Sequence, residues 1–107
     1  MGEVSLVYCT AATREEAVTM ARTVVEERLA ACVNLWDGVT SIYRWQGAVQ
    51  QEQEAVLILK TSRELVARLT ARIRELHRYE CPAILAWTPT AGNAEYLDWI
   101  RSEVSSG

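Results

Sequence analysis

One long β-hairpin is predicted by the run Ser41-Ile42-Tyr43-Arg44-Trp45-Gln46-Gly47 and, after Glu54, the apolar run Ala55-Val56-Leu57-Ile58-Leu59-Lys60-Thr61. Gly47 permits the positive φ that a tight turn needs. Two extended arms of about thirteen residues, at about 3.3 Å per residue, reach roughly 40 Å. A compact domain of this length has a radius of gyration of only about 13 Å, so the hairpin is expected to extend beyond its own domain.

Such a hairpin needs a partner for its edges and its tip. Unpaired strand edges favour aggregation unless another segment covers them. The hairpin of a second copy of the chain can provide this cover. Trp45 also brings a large apolar ring to the solvent-facing tip. The pattern therefore predicts a symmetric oligomer. The alternative is an ordinary wide hairpin with one exposed aromatic residue.

Composition narrows the class of protein. The chain has 107 residues, half of them hydrophobic, and a formal net charge of −3. This length predicts one domain, residues 1–107. A membrane span needs about 18 uninterrupted apolar residues, and no apolar stretch of the sequence approaches that length. The first residues show neither the basic segment nor the cleavage site of a signal peptide. The arginines of the second predicted helix are interspersed with Glu64 and Glu75, which argues against nucleic acid as a partner.

The cysteines point to a reducing compartment. Cys9, Cys32 and Cys81 are odd in number and widely spaced. This pattern is typical of reduced thiols rather than of a disulfide framework, and it predicts a cytoplasmic protein.

The element order predicts the fold. A strand over 4–9 precedes a helix over 14–29, which Thr13 and Glu16 open with a capping box. A turn at Asp37-Gly38 leads into the hairpin, and Thr61 with Glu64 repeats the capping signal before a second helix. A buried strand over 83–87 and a short helix capped by Asn93 follow.

This β-α-β-β-α-β order with a trailing helix is the ferredoxin-like α+β fold, a four-stranded antiparallel sheet with both main helices on one face. The other sheet face needs a cover, which is a second reason to expect an oligomer.

Few residues carry a chemical signal. His77, the only histidine, follows the second helix, where an imidazole can act as a base or metal ligand but is also favourable as a positive group at a helix C-terminus. Pro82 disrupts the helical spacing that would join His77 to Cys81. Cys32, where a helix passes into a strand, and Cys9, at the end of the first strand, indicate small buried residues more often than nucleophiles. No zinc spacing, nucleophile elbow or phosphate loop occurs, so no catalytic residue is predicted.

A cleft lined by polar and aromatic side chains is a further possibility. Glu54 and Lys60 share one strand face and either reach a partner at a subunit border or mark where the strand meets water. Trp99 on the last helix could line a cleft with Tyr79 and His77, or could pack against the core.

The chain resembles the CutA family of divalent-cation-tolerance proteins. The resemblance is carried by motifs in the family's order and spacing: Leu29-Ala30-Ala31-Cys32-Val33-Asn34, Ser41 to Gly47, Glu54, Lys60-Thr61, His77, Tyr79, Pro82, Gly92-Asn93 and Tyr96-Leu97-Asp98-Trp99-Ile100. Departures are Gln46 where Glu is usual, Arg78 after the histidine, and Cys81.

The resemblance implies a homotrimer similar in architecture to the PII signalling proteins, with hairpins pairing between neighbours. It also implies tolerance of copper and other divalent cations, copper(II) or another divalent ion as the bound metal, no organic cofactor and no established catalytic activity. Carried over by position, the candidate metal ligands are Cys32, Cys9 and His77. The candidate lining of the intersubunit cleft is Tyr43, Trp45, Glu54, Lys60, Tyr79 and Trp99.

Three functions remain open at this point. The first is a trimer that binds a divalent metal or a small ligand at its subunit clefts. The second is a structural or signalling trimer that binds a protein partner and no metal. The third is a hydrolase that pairs Cys32 or Cys9 with His77.

Overall fold

The hairpin strands are the longest elements of the computed structural model, which describes residues 3–104. In chain order the elements are β1 (Val4–Ala11), α1 (Arg14–Glu26), β2 (Cys32–Trp45), β3 (Ala48–Ser62), a 3-10 turn (Arg63–Leu65), α2 (Val66–Leu76), β4 (Ile84–Trp87) and α3 (Ala94–Glu103). The strands form one antiparallel sheet in the order β2-β3-β1-β4. The predicted four-stranded α+β fold is confirmed.

The core lies between the sheet and the helices α1 and α2. Alternate residues of the two central strands, such as Cys9 on β1 and Leu57 on β3, pack against Val24 of α1 and Leu69 of α2. These side chains are almost fully buried, which is what the helical spacing of apolar residues predicts. No helix within residues 3–104 is long and apolar enough to cross a membrane.

The hairpin extends well past this core. Its two-residue turn has φ 50° at Gln46 and φ 82° at Gly47, as a turn matching the twist of the strands requires. The longest dimension of the subunit is 44 Å against 26 and 21 Å for the other two. Ile42 and Val49 near the tip are 66% and 65% exposed. The predicted overhang is confirmed.

Asp37-Gly38 is a bulge inside a continuous strand, so the predicted turn is wrong. The register of β2 on β3 shifts between Trp36, which pairs with Val56, and Val39, which pairs with Glu54. Gly38 has φ +75°, a conformation that glycine adopts without strain. The same Asp-Gly pair that favours a turn can thus supply the extra residue of a bulge.

Both capping predictions for the main helices can be compared with the structure. Thr13 Oγ1 accepts a hydrogen bond from the Glu16 amide at 3.1 Å, as predicted. α1 ends at Glu26, earlier than expected, because Arg28 has φ 61°. Thr61 does not cap α2. Its hydroxyl is buried and donates to the carbonyl of Leu29 at 2.7 Å, and β3 continues to Ser62 before the 3-10 turn.

One sheet face carries neither α1 nor α2, and we call it the open face. Residues on it include Tyr8, Thr10, Trp36, Val56, Leu85 and Trp87. β4 was expected to be buried, but in the subunit Leu85 is 65% and Trp87 is 45% exposed, because β4 is an edge strand whose outer residues lie on this face. An exposed apolar area of this kind is typical of an interaction surface.

Candidate functional site

The bulge decides which side chains of β2 reach the open face near the hairpin. Before it, the even-numbered residue Trp36 lies on that face opposite Val56. After it, Ser41 pairs with Glu52, so the odd-numbered residues of β2 share a face with the even-numbered residues of β3. The extra residue therefore brings Tyr43 and Trp45 onto the same side as the carboxylates of β3.

A cavity of about 490 Å³ lies on this part of the open face. It is bounded by the hairpin, by β1 and by the segment that follows α2. Three carboxylates line it, those of Glu52, Glu54 and Glu80, together with the Cys81 side chain. Within the described residues, no lysine, arginine or histidine is among its lining side chains. We call it the acidic cleft.

Aromatic side chains form the rest of its wall. Tyr8 comes from β1, Tyr43 and Trp45 from β2, and Tyr79 from the segment after α2. Trp45 is half exposed and Tyr43 is 37% exposed, so ring surface remains open to a bound molecule. The size of the cavity is within the range of about 300–1,000 Å³ that is usual for small-molecule sites.

Two phenols hold two of the carboxylates. Tyr79 Oη donates to Glu54 Oε2 at 3.0 Å, and Tyr43 Oη donates to Glu52 Oε1. Burial, and next the hydrogen bond to Glu54, raise the pKa of Tyr79. The hydrogen bond to Glu52 is the main cause of the raised pKa of Tyr43. Both phenols are therefore kept protonated as donors, and each leaves the second oxygen of its carboxylate for a ligand.

His77 does not line the acidic cleft but contacts Tyr79, which does. Its Nδ1 accepts a hydrogen bond from the Tyr79 amide at 3.0 Å, and its Nε2 lies 2.6 Å from the carbonyl oxygen of Thr10. A neutral ring satisfies both contacts only with its proton on Nε2, which we assign on this basis. The rings of His77 and Tyr79 also pack together, with centroids 4.6 Å apart. Both nitrogens are used, and His77 serves to position Tyr79.

The cysteines are distributed over different environments. Cys9 is fully buried among the core residues facing the helices, and burial, followed by the nearby Glu16 charge, raises its pKa to about 12. Cys32 is half-buried and pairs with Lys60, which places it on the open face. Cys81 is exposed. Alternation along the strands thus puts Cys9 and Cys32 on opposite faces of the sheet.

The predicted metal ligands do not form one coordination site within the chain. Cys9 is a buried thiol, Cys32 is on the other face, and the ring nitrogens of His77 are occupied. Across residues 3–104, no group of three or more histidine, cysteine, aspartate and glutamate side chains is arranged to hold a metal ion. A transition metal bound by Cys9, Cys32 and His77 together does not fit this arrangement.

The residues predicted for the cleft divide into two groups. Tyr43, Trp45, Glu54 and Tyr79 line the acidic cleft. Lys60 and Trp99 belong to a second cluster further along the open face, in which Lys60 Nζ donates to Tyr96 Oη at 3.0 Å. The rings of Tyr96 and Trp99 stack with centroids 5.6 Å apart. Glu54 and Lys60 are six residues apart on one strand, about 20 Å, so the two groups are separate in the subunit.

Several residues of the site escaped the sequence analysis. Glu52 could have been found from the period-two alternation, since it lies two residues from Glu54 on the same strand face. Glu80 and Tyr8 give no local signal, and Cys81 is considered only beside His77, because only the tertiary fold brings these residues to the cavity.

The sequence predicts a role for Glu16 only as half of a capping box. Its Oε1 accepts from the Ala12 amide at 3.2 Å, and Oε2 lies 3.6 Å from Arg78 Nε without a hydrogen bond. This contact draws Arg78 toward α1, which accounts for its absence from the acidic cleft.

Comparison with known proteins gives one family. A family model described as CutA1 divalent ion tolerance protein matches residues 5–103. The divalent-cation tolerance protein CutA of Thermus thermophilus is 50% identical over 96 residues, which cover 90% of this chain and 93% of that protein. The chloroplastic CutA protein of Arabidopsis thaliana is 39% identical over 97 residues, 91% of this chain but only 53% of the plant protein.

The fold agrees with solved structures of the same kind. The crystal structure of CutA1 from Oryza sativa superposes with a TM-score of 0.96 at 34% identity, covering 99% of this chain and 97% of that one. The sequence match and the fold thus point the same way. The chain belongs to the family of CutA1 divalent ion tolerance proteins.

Proposed function

We propose that this protein is a non-enzymatic binding protein, assembled as a homotrimer, that contributes to divalent-cation tolerance by binding a cationic ligand in the acidic cleft of each subunit. The observation that carries the proposal is the pair Glu52 and Glu54, each held by a tyrosine hydroxyl in a cavity of about 490 Å³. Preorganised carboxylates in an aromatic cavity favour a positive ligand, because their orientation is fixed before binding.

The proposed homotrimer is supported by the unpartnered surfaces of the subunit. Trp36, Leu85 and Trp87 on the open face are about half exposed or more, and the hairpin extends beyond the core. A closed symmetric assembly would cover these surfaces with the same surfaces of neighbours. In this proposal the acidic cleft lies near a subunit border.

A divalent ion is the ligand that the family name suggests, and the resemblance described above implies copper(II) in particular. A copper site with Cys9, Cys32 and His77 together does not fit the subunit, since these residues are separated or already engaged. In this proposal a bound divalent ion therefore takes one or two carboxylate oxygens of the acidic cleft and keeps water as its other ligands, or takes Cys32 with groups of a neighbouring subunit.

A protein partner is the second candidate function. The exposed tryptophans and Leu85 of the open face favour it, because an apolar area of this kind can dock a protein as well as a second copy of the chain. The hydrolase hypothesis is not pursued. The Cys9 thiol, with its pKa raised to about 12, is a poor nucleophile, and His77, which either Cys9 or Cys32 would need as a base, is engaged through both nitrogens.

A cytoplasmic location is also a proposal. It rests on the three cysteines, all of which are free thiols in the subunit. A matching plant protein is named as chloroplastic, so location differs among the relatives.

The test is a copper(II) titration of the reduced protein against a chelator of known affinity, at a concentration where the oligomer is intact. We expect saturable binding at one site per subunit that is lost in Glu54→Gln and kept in Cys9→Ser. Loss in Cys32→Ser would place the ion at the subunit border instead. The contrary result is copper binding that does not saturate and is the same in wild type and in all four variants, Glu54→Gln, Cys9→Ser, Cys32→Ser and His77→Ala. It would reject metal binding as the function and favour a protein partner.

A further inference from the structure

We propose that the acidic cleft selects an organic cation with N–H donors, a primary ammonium or a guanidinium group, over a bare divalent metal ion. This inference deepens the proposed function and rests on it, because it names the ligand class of the same cleft. It follows from the charge of the cavity, the nature of its walls and the state of its carboxylates.

The charge of the cleft is of one sign. Glu52, Glu54 and Glu80 line it, and among the described residues no basic side chain contributes to its wall. The nearest sequence candidate, Arg78, points its guanidinium to Glu16, with Nε 3.6 Å from Oε2. A cavity with three carboxylates and no internal counter-charge attracts a cation and repels an anion.

The walls favour an organic cation. Tyr8, Tyr43, Trp45 and Tyr79 contribute four aromatic rings to the wall of the same cavity. An aromatic face attracts an ammonium or guanidinium group within about 6 Å of its centroid, and this attraction is larger where water is excluded. A hydrated metal ion gains little from such walls, because its first shell of water or ligand oxygens keeps it away from the rings.

The carboxylates are prepared for hydrogen bonding rather than for metal coordination. Tyr79 and Tyr43 each use one oxygen of Glu54 and Glu52, which leaves one oxygen on each carboxylate. These two residues are separated by two positions on β3, about 7 Å along the strand. A cation with several N–H donors can use separate acceptors, whereas a divalent ion needs at least four ligand atoms at about 2–2.6 Å.

The volume also suits a ligand with an attached side chain. About 490 Å³ is far larger than a single ion requires and can hold a cationic head together with an apolar or aromatic tail.

The test uses benzylammonium as the probe and benzyl alcohol as its neutral isostere, titrated into the intact oligomer at pH 7. The indole N–H resonance of Trp45, assigned by its loss in Trp45→Phe, reports binding inside the cleft. We expect saturation at one site per subunit, with benzyl alcohol weaker by about tenfold or more. Glu54→Gln should weaken the affinity for benzylammonium by about tenfold. Glu64→Gln, the same change on the exposed 3-10 turn, should leave this affinity unchanged.

Each other result has a defined meaning. Copper(II) binding that depends on Glu54, without binding of benzylammonium, overturns this inference and leaves the proposed function in place. Equal affinities for benzylammonium and benzyl alcohol also overturn the inference, because the cleft would then recognise only the apolar ring that the two molecules share. No response of Trp45 to either cation, with the oligomer intact, rejects the inference and the proposed cleft function together.

Discussion

At the scale of single residues, His77 shows how a conspicuous side chain can serve the site without binding a ligand. As the only histidine it is the obvious metal candidate, yet its ring accepts from the Tyr79 amide and contacts the Thr10 carbonyl. The sequence could suggest His77 but not its partners, since Thr10 lies 67 positions away. Its structural work is to fix the segment that presents Tyr79 to Glu54.

Substitution His77→Ala tests this positioning role. The change removes the acceptor of the Tyr79 amide and one partner of the Thr10 carbonyl, which also accepts from Cys9 Sγ at 3.4 Å. We therefore expect the free energy of unfolding to fall by about 1–2 kcal/mol. Urea denaturation at fixed protein concentration measures it, with the exposed Arg74→Ala on α2 as the control. A protein of unchanged stability that has lost copper binding would instead make His77 a metal ligand.

Cys9 gives a prediction in alkaline solution. Its pKa is raised from 9.0 to about 12, mainly by burial, so its proton stays bound in the folded state when the unfolded state has released it. This contribution to stability is complete below pH 9 and is lost as pH rises toward 12. The slope is about 1.4 kcal/mol per pH unit for one proton.

Urea titrations at several pH values between 9 and 12 should therefore show a shallower decline for Cys9→Ala than for wild type. The exposed Cys81→Ala is the matched control and should follow wild type. A decline of the same slope in Cys9→Ala would mean that Cys9 is not the buried thiol described above.

At the scale of elements, the strand pattern could predict the hairpin but not the side chains it brings together. The alternating and apolar runs around Gly47 were sufficient for the hairpin, and Thr13 and Asn93 for two helix starts. Asp37-Gly38 was misread because one dipeptide suits both a turn and a bulge. Thr61 was misread because its hydroxyl has a tertiary partner, the Leu29 carbonyl.

The same limits apply to the cleft. Tyr43, Trp45, Glu54 and Tyr79 were assigned to it through the family resemblance, and they lie in one cavity. Lys60 was assigned with them but lies with Tyr96, because six residues of extended strand separate it from Glu54. Residue type suggested the chemistry, whereas the register decided which residues meet.

Substitution Gly38→Ala tests the bulge. Gly38 has φ +75°, and although a Cβ there meets no atom within 4 Å, a non-glycine residue in this conformation costs about 1–2 kcal/mol. We expect a loss of that size in thermal or urea unfolding. Gly92→Ala is the matched control, since its backbone lacks a positive φ and its Cβ would make an ordinary contact with Leu97 at 3.4 Å. Equal effects of the two changes would contradict a strained bulge at Gly38.

At the scale of the whole molecule, the hairpin, the open face and the acidic cleft are parts of one arrangement. The longest dimension is 44 Å, the hairpin extends past the core, and the sheet leaves Leu85 and Trp87 exposed on the open face. A homotrimer that covers these surfaces would enclose the cleft more fully, which would strengthen its interactions with a cation by excluding water. Assembly and binding are thus expected to depend on each other.

The decisive measurement is native mass spectrometry, because it counts chains and bound ligands together. It compares wild type with the double variant Glu52→Gln/Glu54→Gln, each with copper(II) and separately with benzylammonium. For wild type we predict a species of three 12.0 kDa chains that carries up to one cation per subunit. The double variant should remain a trimer and lose the bound cation. A monomer, or a trimer whose cation count is the same in both proteins, would contradict the account.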